Sequence, residues 1–404
     1  MEMKKNFKKK VLKNGMVILL EKRNLPVVSV AFAVRNGGIN ENISEKGISH
    51  FIEHMLYKGT PSRTSRDIAE QIERNGGELN GFTSEEITAY WCRMPSEKVN
   101  FALEVLSDMI KNPKFDNDEM EKERRVIFEE IKMRKDNPQI YVFDKIQNFL
   151  YSGTLSLDLI GTEKTINSIN KKKITDFFNI VYRPNNLILA VVGDANFEDI
   201  VAFAEKNFGD SKGEIHEEKI TLKNETKVEY RAGVDQANVV FAYHVPFGDD
   251  DKSYAARVLS AISAEGMSSR LFIEIREKRN LAYGIKGGSD INKRYGHNFI
   301  FVGTTKENVE IVRKLILEEM KKISKDMDES ELESIKTQII GHYKTSMEDS
   351  HEQLVNIISS EIQGKAEDFY DFEKKIKNVS LKEVRELAEE ISKGKYSFFA
   401  LVPR

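Results

Sequence analysis

Two kinds of hydrophobic pattern share the chain, and together they predict a mixture of strands and helices. Runs of β-branched and aromatic residues of strand length occur at residues 27–34 and 238–243. Apolar residues recur at helical spacing over residues 97–110 and 119–135. Because strands and helices are mixed without strict alternation, the pattern predicts an α+β fold.

The hydrophobic pattern also repeats within the chain. The segments that begin at Glu163 and Glu373 place their apolar residues alike, at an offset of 210 residues. The same offset superposes the strand-like runs 187–192 and 397–402. Several matches at one offset indicate an internal duplication.

The duplication predicts two domains of similar fold, each with an antiparallel-rich sheet packed against helices. We place the first domain at residues 1–210 and the second at residues 228–404. Residues 211–227 are charged and weakly apolar, which is typical of a linker between domains.

Composition narrows the class of protein. The chain has 404 residues, with 62 basic and 65 acidic side chains, and this near balance gives no electrostatic reason to expect nucleic acid as a partner. Cys92 is the one cysteine, which excludes an intrachain disulfide and suits a reducing compartment. No apolar run approaches the length of about 20 residues that a membrane span needs. We therefore expect a cytoplasmic protein that binds neither nucleic acid nor membranes.

The strongest chemical signal is the run His50-Phe51-Ile52-Glu53-His54, inside a segment that reads as a helix. His50 and His54 are four residues apart, so both imidazoles leave the same helix face and can bind one metal ion. Glu53 lies on that face too, placed to take a proton from metal-bound water. The pattern is the inverted form of the zinc-peptidase helix motif. A chance grouping of polar residues on a solvated helix is the weaker reading, because the chain has only seven histidines.

A catalytic zinc needs three protein ligands and one open position, so two histidines leave one ligand to be found. The predicted helix 119–135 carries Glu123, Glu129 and Glu130. Composition alone does not choose among them, because acidic residues on helices are usually solvated.

The run from His50 to Thr60, taken with residues 123–130, resembles the pitrilysin/insulinase family of metallopeptidases, and in particular its bacterial branch related to the mitochondrial processing peptidases. In that family the third ligand is a glutamate about 75 residues beyond the second histidine. Because 75 residues separate His54 from Glu130, the resemblance implies that Glu130 completes the ligand set.

The resemblance implies further roles near the metal. The family has a supporting acidic residue seven positions before the glutamate ligand, which matches Glu123 and would orient the ligands. Glu129 is the alternative ligand. The implied cofactor is one Zn²⁺ per subunit, although manganese or cobalt could occupy such a site in vitro.

Two substrate-binding features follow from the same resemblance. Residues 76–84 resemble the family's edge strand, to which an extended peptide adds as a further strand. The residues of that strand predicted to bind substrate are Leu79, Asn80, Gly81, Phe82 and Thr83. The family more often has alanine at the position of Gly81. Arg276 and Tyr283 match a pair that binds the substrate carbonyl and the developing oxyanion.

The second half has no metal motif, since residues 254–262, the expected counterpart of the zinc helix, contain neither histidine nor glutamate. The histidines expected to be surface or packed residues are His216, His244, His297, His342 and His351.

These features predict a zinc-dependent endopeptidase that hydrolyses unstructured peptides. Larger members of the family carry four such domains in one chain that closes around the substrate, so this chain resembles half of a clamshell. We therefore expect a homodimer in which Arg276 and Tyr283 of one subunit complete the zinc site of the other. Two alternatives stay open: a heterodimer with a related chain, and a non-catalytic interaction or scaffold subunit of the same family.

Overall fold

The computed structural model describes residues 6–404, so the first five residues of the predicted domain 1–210 lie outside the description. The described chain divides into two compact units, and each unit is discontinuous in sequence. The first unit comprises the chain up to Lys132, Asp158–Glu218 and Ser346–Tyr370. The second comprises Met133–Leu157, Lys219–Thr345 and Asp371–Arg404.

The strands form one sheet in each unit. The strands of the first unit are β1 (Phe7–Val11), β2 (Val17–Lys22), β3 (Val27–Val34), β4 (Glu78–Thr83), β5 (Thr88–Pro95) and β6 (Leu187–Gly193). Those of the second unit are β7 (Thr226–Arg231), β8 (Ala237–His244), β9 (Ala282–Ile291), β10 (Gly296–Thr304) and β11 (Ser397–Pro403).

Helices are interspersed with the strands in both units. Those of the first unit are α1 (Ile48–Leu56), α2 (Ser65–Glu73), α3 (Val99–Lys111), α4 (Asn117–Asp136), α6 (Glu163–Ser168), α7 (Lys171–Val181), α8 (Phe197–Asn207) and α12 (Ser350–Gln363), with the last residues of α4 assigned to the second unit. Those of the second unit are α5 (Pro138–Leu150), α9 (Ser253–Ala264), α10 (Val309–Asp326), α11 (Glu329–Ser346), α13 (Phe372–Asn378) and α14 (Leu381–Ser392). No helix of residues 6–404 is long and apolar enough to cross a membrane.

The two sheets share one strand order. The first sheet has the order β1-β2-β6-β3-β5-β4 and the second has the order β7-β11-β8-β10-β9. The second sheet therefore reproduces the first without a counterpart of β1. In each sheet one pair is parallel, β2 with β6 and β7 with β11, and the other pairs are antiparallel. The predicted α+β fold with two duplicated, antiparallel-rich halves is therefore confirmed.

Strand β3 shows why a sheet of the first unit is buried on both faces. Side chains alternate along a strand, and Val30 and Phe32 join the core that α1 and α3 cover. The opposite face receives α12, where Ser29 and Ser350 place their hydroxyl oxygens 3.1 Å apart. Because both faces are covered, the strand reads as one apolar run, which made residues 27–34 easy to predict.

Helices α5 and α12 explain the discontinuous units. Helix α12 comes late in the chain and packs on β3 and β6, whereas α5 comes early and packs on β8 and β11. The compact units are therefore discontinuous, whereas the predicted domains 1–210 and 228–404 are contiguous stretches of sequence, and their bounds stay a prediction. The break between Glu218 and Lys219 falls inside the predicted linker 211–227.

A histidine pair in the second sheet, with His297 buried and His244 half-buried, predicts acid sensitivity. His244 and His297 lie opposite each other on β8 and β10, and burial lowers the pKa of both. A base with a lower pKa in the folded state binds its proton more readily when unfolded. The free energy of unfolding is therefore undiminished by these histidines above the unfolded pKa of about 6.5, and it decreases as the pH falls below that value. We expect the Tm to fall in calorimetry on acidification, and His297→Asn to reduce this fall by roughly 2–4 °C for each kcal/mol involved.

His216 is exposed and provides the matched control. His216→Asn should leave the pH dependence of the Tm unchanged. If His297→Asn and wild type lose the same Tm on acidification, the histidine pair does not cause the effect.

Candidate metal centre

Helix α1 presents the two histidines, and a buried carboxylate fixes where it begins. The first backbone N–H groups of a helix have no partner within the helix. Glu41, which is fully buried, accepts hydrogen bonds from the backbone N–H of Gly47 at 2.9 Å and of Ser49 at 2.7 Å. Gly47 has φ +96°, and a Cβ there would lie 2.6 Å from the carbonyl oxygen of Ile160. Both the conformation and the close approach require glycine at the start of this helix.

The ligand atoms of three predicted residues converge. The Nε2 atoms of His50 and His54 lie 3.5 Å and 3.8 Å from Oε2 of Glu130. The donor atoms of the three side chains all lie within 4.8 Å of one another. Around a tetrahedral zinc with bonds of about 2.0–2.2 Å, donor atoms are separated by roughly 3.3–3.6 Å. Two imidazoles and one carboxylate are also a donor set that zinc favours, so the residues fit the metal that the sequence predicted.

Helix α4 supplies the carboxylates and is fixed to a neighbouring loop by Arg124. That guanidinium donates to the backbone carbonyls of Ile166 and Ile169, at the end of α6. Glu129, the alternative ligand, has 73% of its side chain exposed and pairs with Lys132 at 2.7 Å. It does not belong to the convergent group. The geometry therefore favours Glu130, while the assignment of the ligand stays a prediction.

Glu123 holds the second histidine from behind. Its Oε2 lies 3.0 Å from Nδ1 of His54, and its Oε1 lies 2.6 Å from Nζ of Lys58. Burial alone would raise the pKa of Glu123, but the hydrogen bonds from His54 and Lys58 hold it below its ordinary value. An ionised carboxylate on Nδ1 orients the ring so that Nε2 faces the metal position. The sequence alone assigned no role to Lys58, although it lies four residues after His54.

Glu53 lies beside the convergent group with one oxygen already engaged. The hydroxyl of Thr83 donates to Oε2 of Glu53 at 2.5 Å. Burial raises the pKa of Glu53, and the hydrogen bond from Thr83 opposes that effect. Thr83 was predicted as a substrate-binding residue of the edge strand, and its side chain in fact contacts the predicted base.

The predicted substrate strand is β4, at the edge of the first sheet. It pairs with β5 on one side, with Gly81 opposite Tyr90. Side chains alternate along the strand, so Leu79 packs towards the core while Asn80 is exposed. An edge strand offers unpaired backbone groups to an added strand. The roles of the five predicted residues, including Phe82, stay predictions.

Arg276 and Tyr283 belong to the second unit. Arg276 lies on a π-helical turn, Phe272–Glu277, with its guanidinium 4.8 Å from the centroid of the Phe272 ring. Tyr283 is on β9 and is 82% exposed. Single π-helical turns are rare and occur frequently at functional sites. Nothing within either unit tests the predicted role of this pair.

The five remaining histidines have the surface or packed positions expected of them. His216 and His342 are exposed, and His297 is buried beside the hydroxyl of Tyr151 at 3.1 Å. The ring of His351 packs on Trp91. Among residues 6–404, the group of His50, His54 and Glu130 is the one cluster with metal-binding geometry.

Comparisons with known proteins agree with this arrangement. A family model described as insulinase (peptidase family M16) matches residues 16–163, and one described as the peptidase M16 inactive domain matches residues 168–339. A Bacillus subtilis protein described as an uncharacterized zinc protease is 31% identical over 98% of both chains. The chain belongs to the insulinase family of peptidases.

Other relatives extend the comparison. A Rickettsia felis protein, also described as an uncharacterized zinc protease, is 33% identical over 83% of both chains. The structure of a protease from Helicobacter pylori has a TM-score of 0.89 at 24% identity and covers 98% of this chain and 99% of its own. A Pseudomonas fluorescens structure described as a peptidase M16 inactive domain has a TM-score of 0.88 at 19% identity and covers 99% of this chain and 98% of its own. The two structures share the fold of this chain.

The role of Glu123 predicts a loss of metal affinity on its removal. Glu123→Ala should weaken zinc binding roughly 10- to 100-fold, because residues that orient metal ligands typically contribute that much. Competition with a chromogenic chelator measures the affinity directly. Glu129→Ala, on the same helix but exposed, is the control and should bind zinc like wild type. Equal affinities in the two variants would contradict the orienting role.

Proposed function

We propose that this chain is a zinc-dependent endopeptidase that hydrolyses unstructured peptides. The observation that carries the proposal is the convergence of His50, His54 and Glu130 with Glu53 on the same helix. A ligand set with a carboxylate beside it that is not a ligand is the arrangement of metal-assisted hydrolysis. The zinc proteases among the relatives support the choice of metal.

The chain's residues divide the chemistry among them. Zinc held by the two histidines and Glu130 would supply a Lewis acid that activates water and polarises a carbonyl. Glu53 accepts the proton of the attacking water and passes it to the leaving amine. Thr83 fixes the Glu53 carboxylate through Oε2, and Glu123 fixes the ring of His54.

Strand β4 supports the choice of substrate. It is an edge strand, and its Thr83 contacts the proposed base, so a peptide added along β4 would pass the metal centre. Strand addition requires an extended peptide with free backbone groups. Unstructured peptides meet this condition, whereas folded proteins do not.

We further propose that the active form is a homodimer in the cytoplasm, in which Arg276 and Tyr283 of one copy complete the metal centre of the other. Both residues are substantially exposed, with 82% exposure for Tyr283 and 41% for the Arg276 side chain. Exposed hydrogen-bond donors of this kind could reach a tetrahedral intermediate bound to a second copy. The alternative partner is a related chain in a heterodimer.

A non-catalytic role is the second candidate, because one family model and one structural neighbour carry the description "inactive domain". In this chain that family model matches residues 168–339, which contain none of the convergent ligands. All three proposed ligands lie within residues 16–163, which the insulinase family model matches. The retained ligand geometry therefore favours the peptidase.

The role of Glu53 predicts a specific loss of turnover. Glu53→Gln should lower kcat on a mixture of unstructured peptides by roughly 10²- to 10⁴-fold, because it removes the proton acceptor. Zinc content, measured by atomic absorption, should stay at the wild-type level, and a chelator should abolish wild-type activity. If wild type binds zinc but cuts no peptide, the non-catalytic role is favoured.

The dimer proposal predicts complementation between two inactive variants. Glu53→Gln lacks the proton acceptor, and removal of one oxyanion donor should cost roughly 10²- to 10³-fold in kcat. Glu53→Gln and Arg276→Ala should therefore each be nearly inactive. Co-expressed at equal amounts, half of the dimers would be mixed, and each would hold one intact site. We expect about a quarter of wild-type activity from this mixture.

The matched control is a mixture of Glu53→Gln with His50→Ala, both altered at the same end of the proposed site, which should stay inactive. Activity of the first mixture no greater than that of its parents would contradict completion by a second copy.

A further inference from the structure

Gly81 lies against the hydroxyl group of Tyr57, close to the proposed base Glu53. We propose that the hydroxyl of Tyr57 is a positioning group for Glu53, acting from a space beneath β4 that the chain keeps open by having glycine at position 81. The inference rests on the proposed peptidase function and adds a residue to it.

The hydroxyl and the carboxylate meet at the same point of β4. Alternation along the strand directs Leu79, Gly81 and Thr83 to the face that α1 covers. A Cβ on Gly81 would lie 2.5 Å from the hydroxyl oxygen of Tyr57 and 3.6 Å from Oε1 of Glu53. The tyrosine hydroxyl thus occupies the space that any larger side chain would need. A glycine within a strand commonly marks such a close approach.

The Tyr57 hydroxyl is buried and has no hydrogen-bond partner among residues 6–404. Its neighbours differ in this respect, because the hydroxyls of Tyr90 and Tyr182 lie 2.9 Å apart and pair with each other. The Tyr57 ring packs against that of Tyr90, with centroids 6.2 Å apart, so the hydroxyl is held at β4. Buried polar groups are rarely left unpaired in native proteins without a structural or catalytic reason.

Glu53 offers the matching acceptor. Thr83 engages its Oε2, whereas Oε1 is the oxygen near Gly81 and Tyr57. A phenolic hydroxyl can rotate its proton towards an acceptor without moving the ring. The hydroxyl makes no hydrogen bond in this structure, and a bond to Oε1 formed during the reaction, with Thr83 on Oε2, would fix the plane of the carboxylate. A general base held in a fixed orientation lowers the barrier of the chemical step and leaves the affinity for substrate unchanged.

The kinetic test uses Tyr57→Phe, which removes the hydroxyl and keeps the ring. We expect kcat on a fluorogenic unstructured peptide to fall roughly tenfold, the effect of one hydrogen bond made in the transition state, with KM within about twofold of wild type. Tyr182→Phe is the matched control, because it removes a buried hydroxyl from the same tyrosine cluster. It should lower the Tm and leave kcat unchanged.

A second test does not depend on activity. Gly81→Ala should lower the Tm of wild type more than that of Tyr57→Phe, because the 2.5 Å contact exists only in the first background. The contact of the new Cβ with the backbone oxygen of Ala89, at 2.8 Å, is common to both backgrounds and cancels in this comparison. An equal loss of Tm in both backgrounds would show that the hydroxyl does not fill this space.

The outcomes separate the inference from the function on which it rests. An active wild type with unaltered kcat in Tyr57→Phe overturns the inference alone. A fall in kcat that Tyr182→Phe reproduces also overturns it, since any lost hydroxyl of the cluster would then suffice. A zinc-bound wild type that cuts no peptide overturns the proposed function, and the inference with it.

Discussion

The geometry of the metal centre depends first on where helix α1 begins. A helix turns by about 100° per residue, so a start displaced by one position would carry both histidines away from α4. Buried Glu41 prevents this by accepting the backbone N–H groups of Gly47 and Ser49. Burial of its charge is costly, and the ammonium group of Lys46, 4.0 Å away and itself buried, offsets part of that cost. The residues just before α1 therefore fix which way its two histidines face.

Much of this arrangement could be predicted from the sequence because it depends on local spacing. The spacing of His50 and His54 on one helix predicts a shared face, and the apolar run 27–34 coincides with β3. Lys58 could have been found by the same reasoning, since it lies one turn beyond His54. Contacts between distant segments left no such signal. Helix α12 packs on the first sheet, and Thr83 donates a hydrogen bond to Glu53. Each of these contacts joins segments that are far apart in sequence, and no local spacing pattern links them.

The two duplicated halves share a strand order but carry different side chains at corresponding positions. Their sheets share a strand order, yet where α1 carries the ligands the second half has α9, with small buried residues such as Ala255 and Ala256. Every residue of α9 except Tyr254 and Arg257 is buried, and none is a histidine or a carboxylate, so this helix presents no metal ligands. The second half instead has an exposed tyrosine on its edge strand β9. The proposed roles, a metal held by the first half and substrate contacts from the second, follow this asymmetry.

The most direct test of the central claim is a crystal structure of the zinc-loaded chain with anomalous data collected at the zinc absorption edge. We expect one strong anomalous peak per chain, about 2.0–2.2 Å from Nε2 of His50, Nε2 of His54 and a carboxylate oxygen of Glu130, with Glu53 outside the coordination sphere. A peak at another position, or Glu53 or Glu129 among the ligands in place of Glu130, would contradict it.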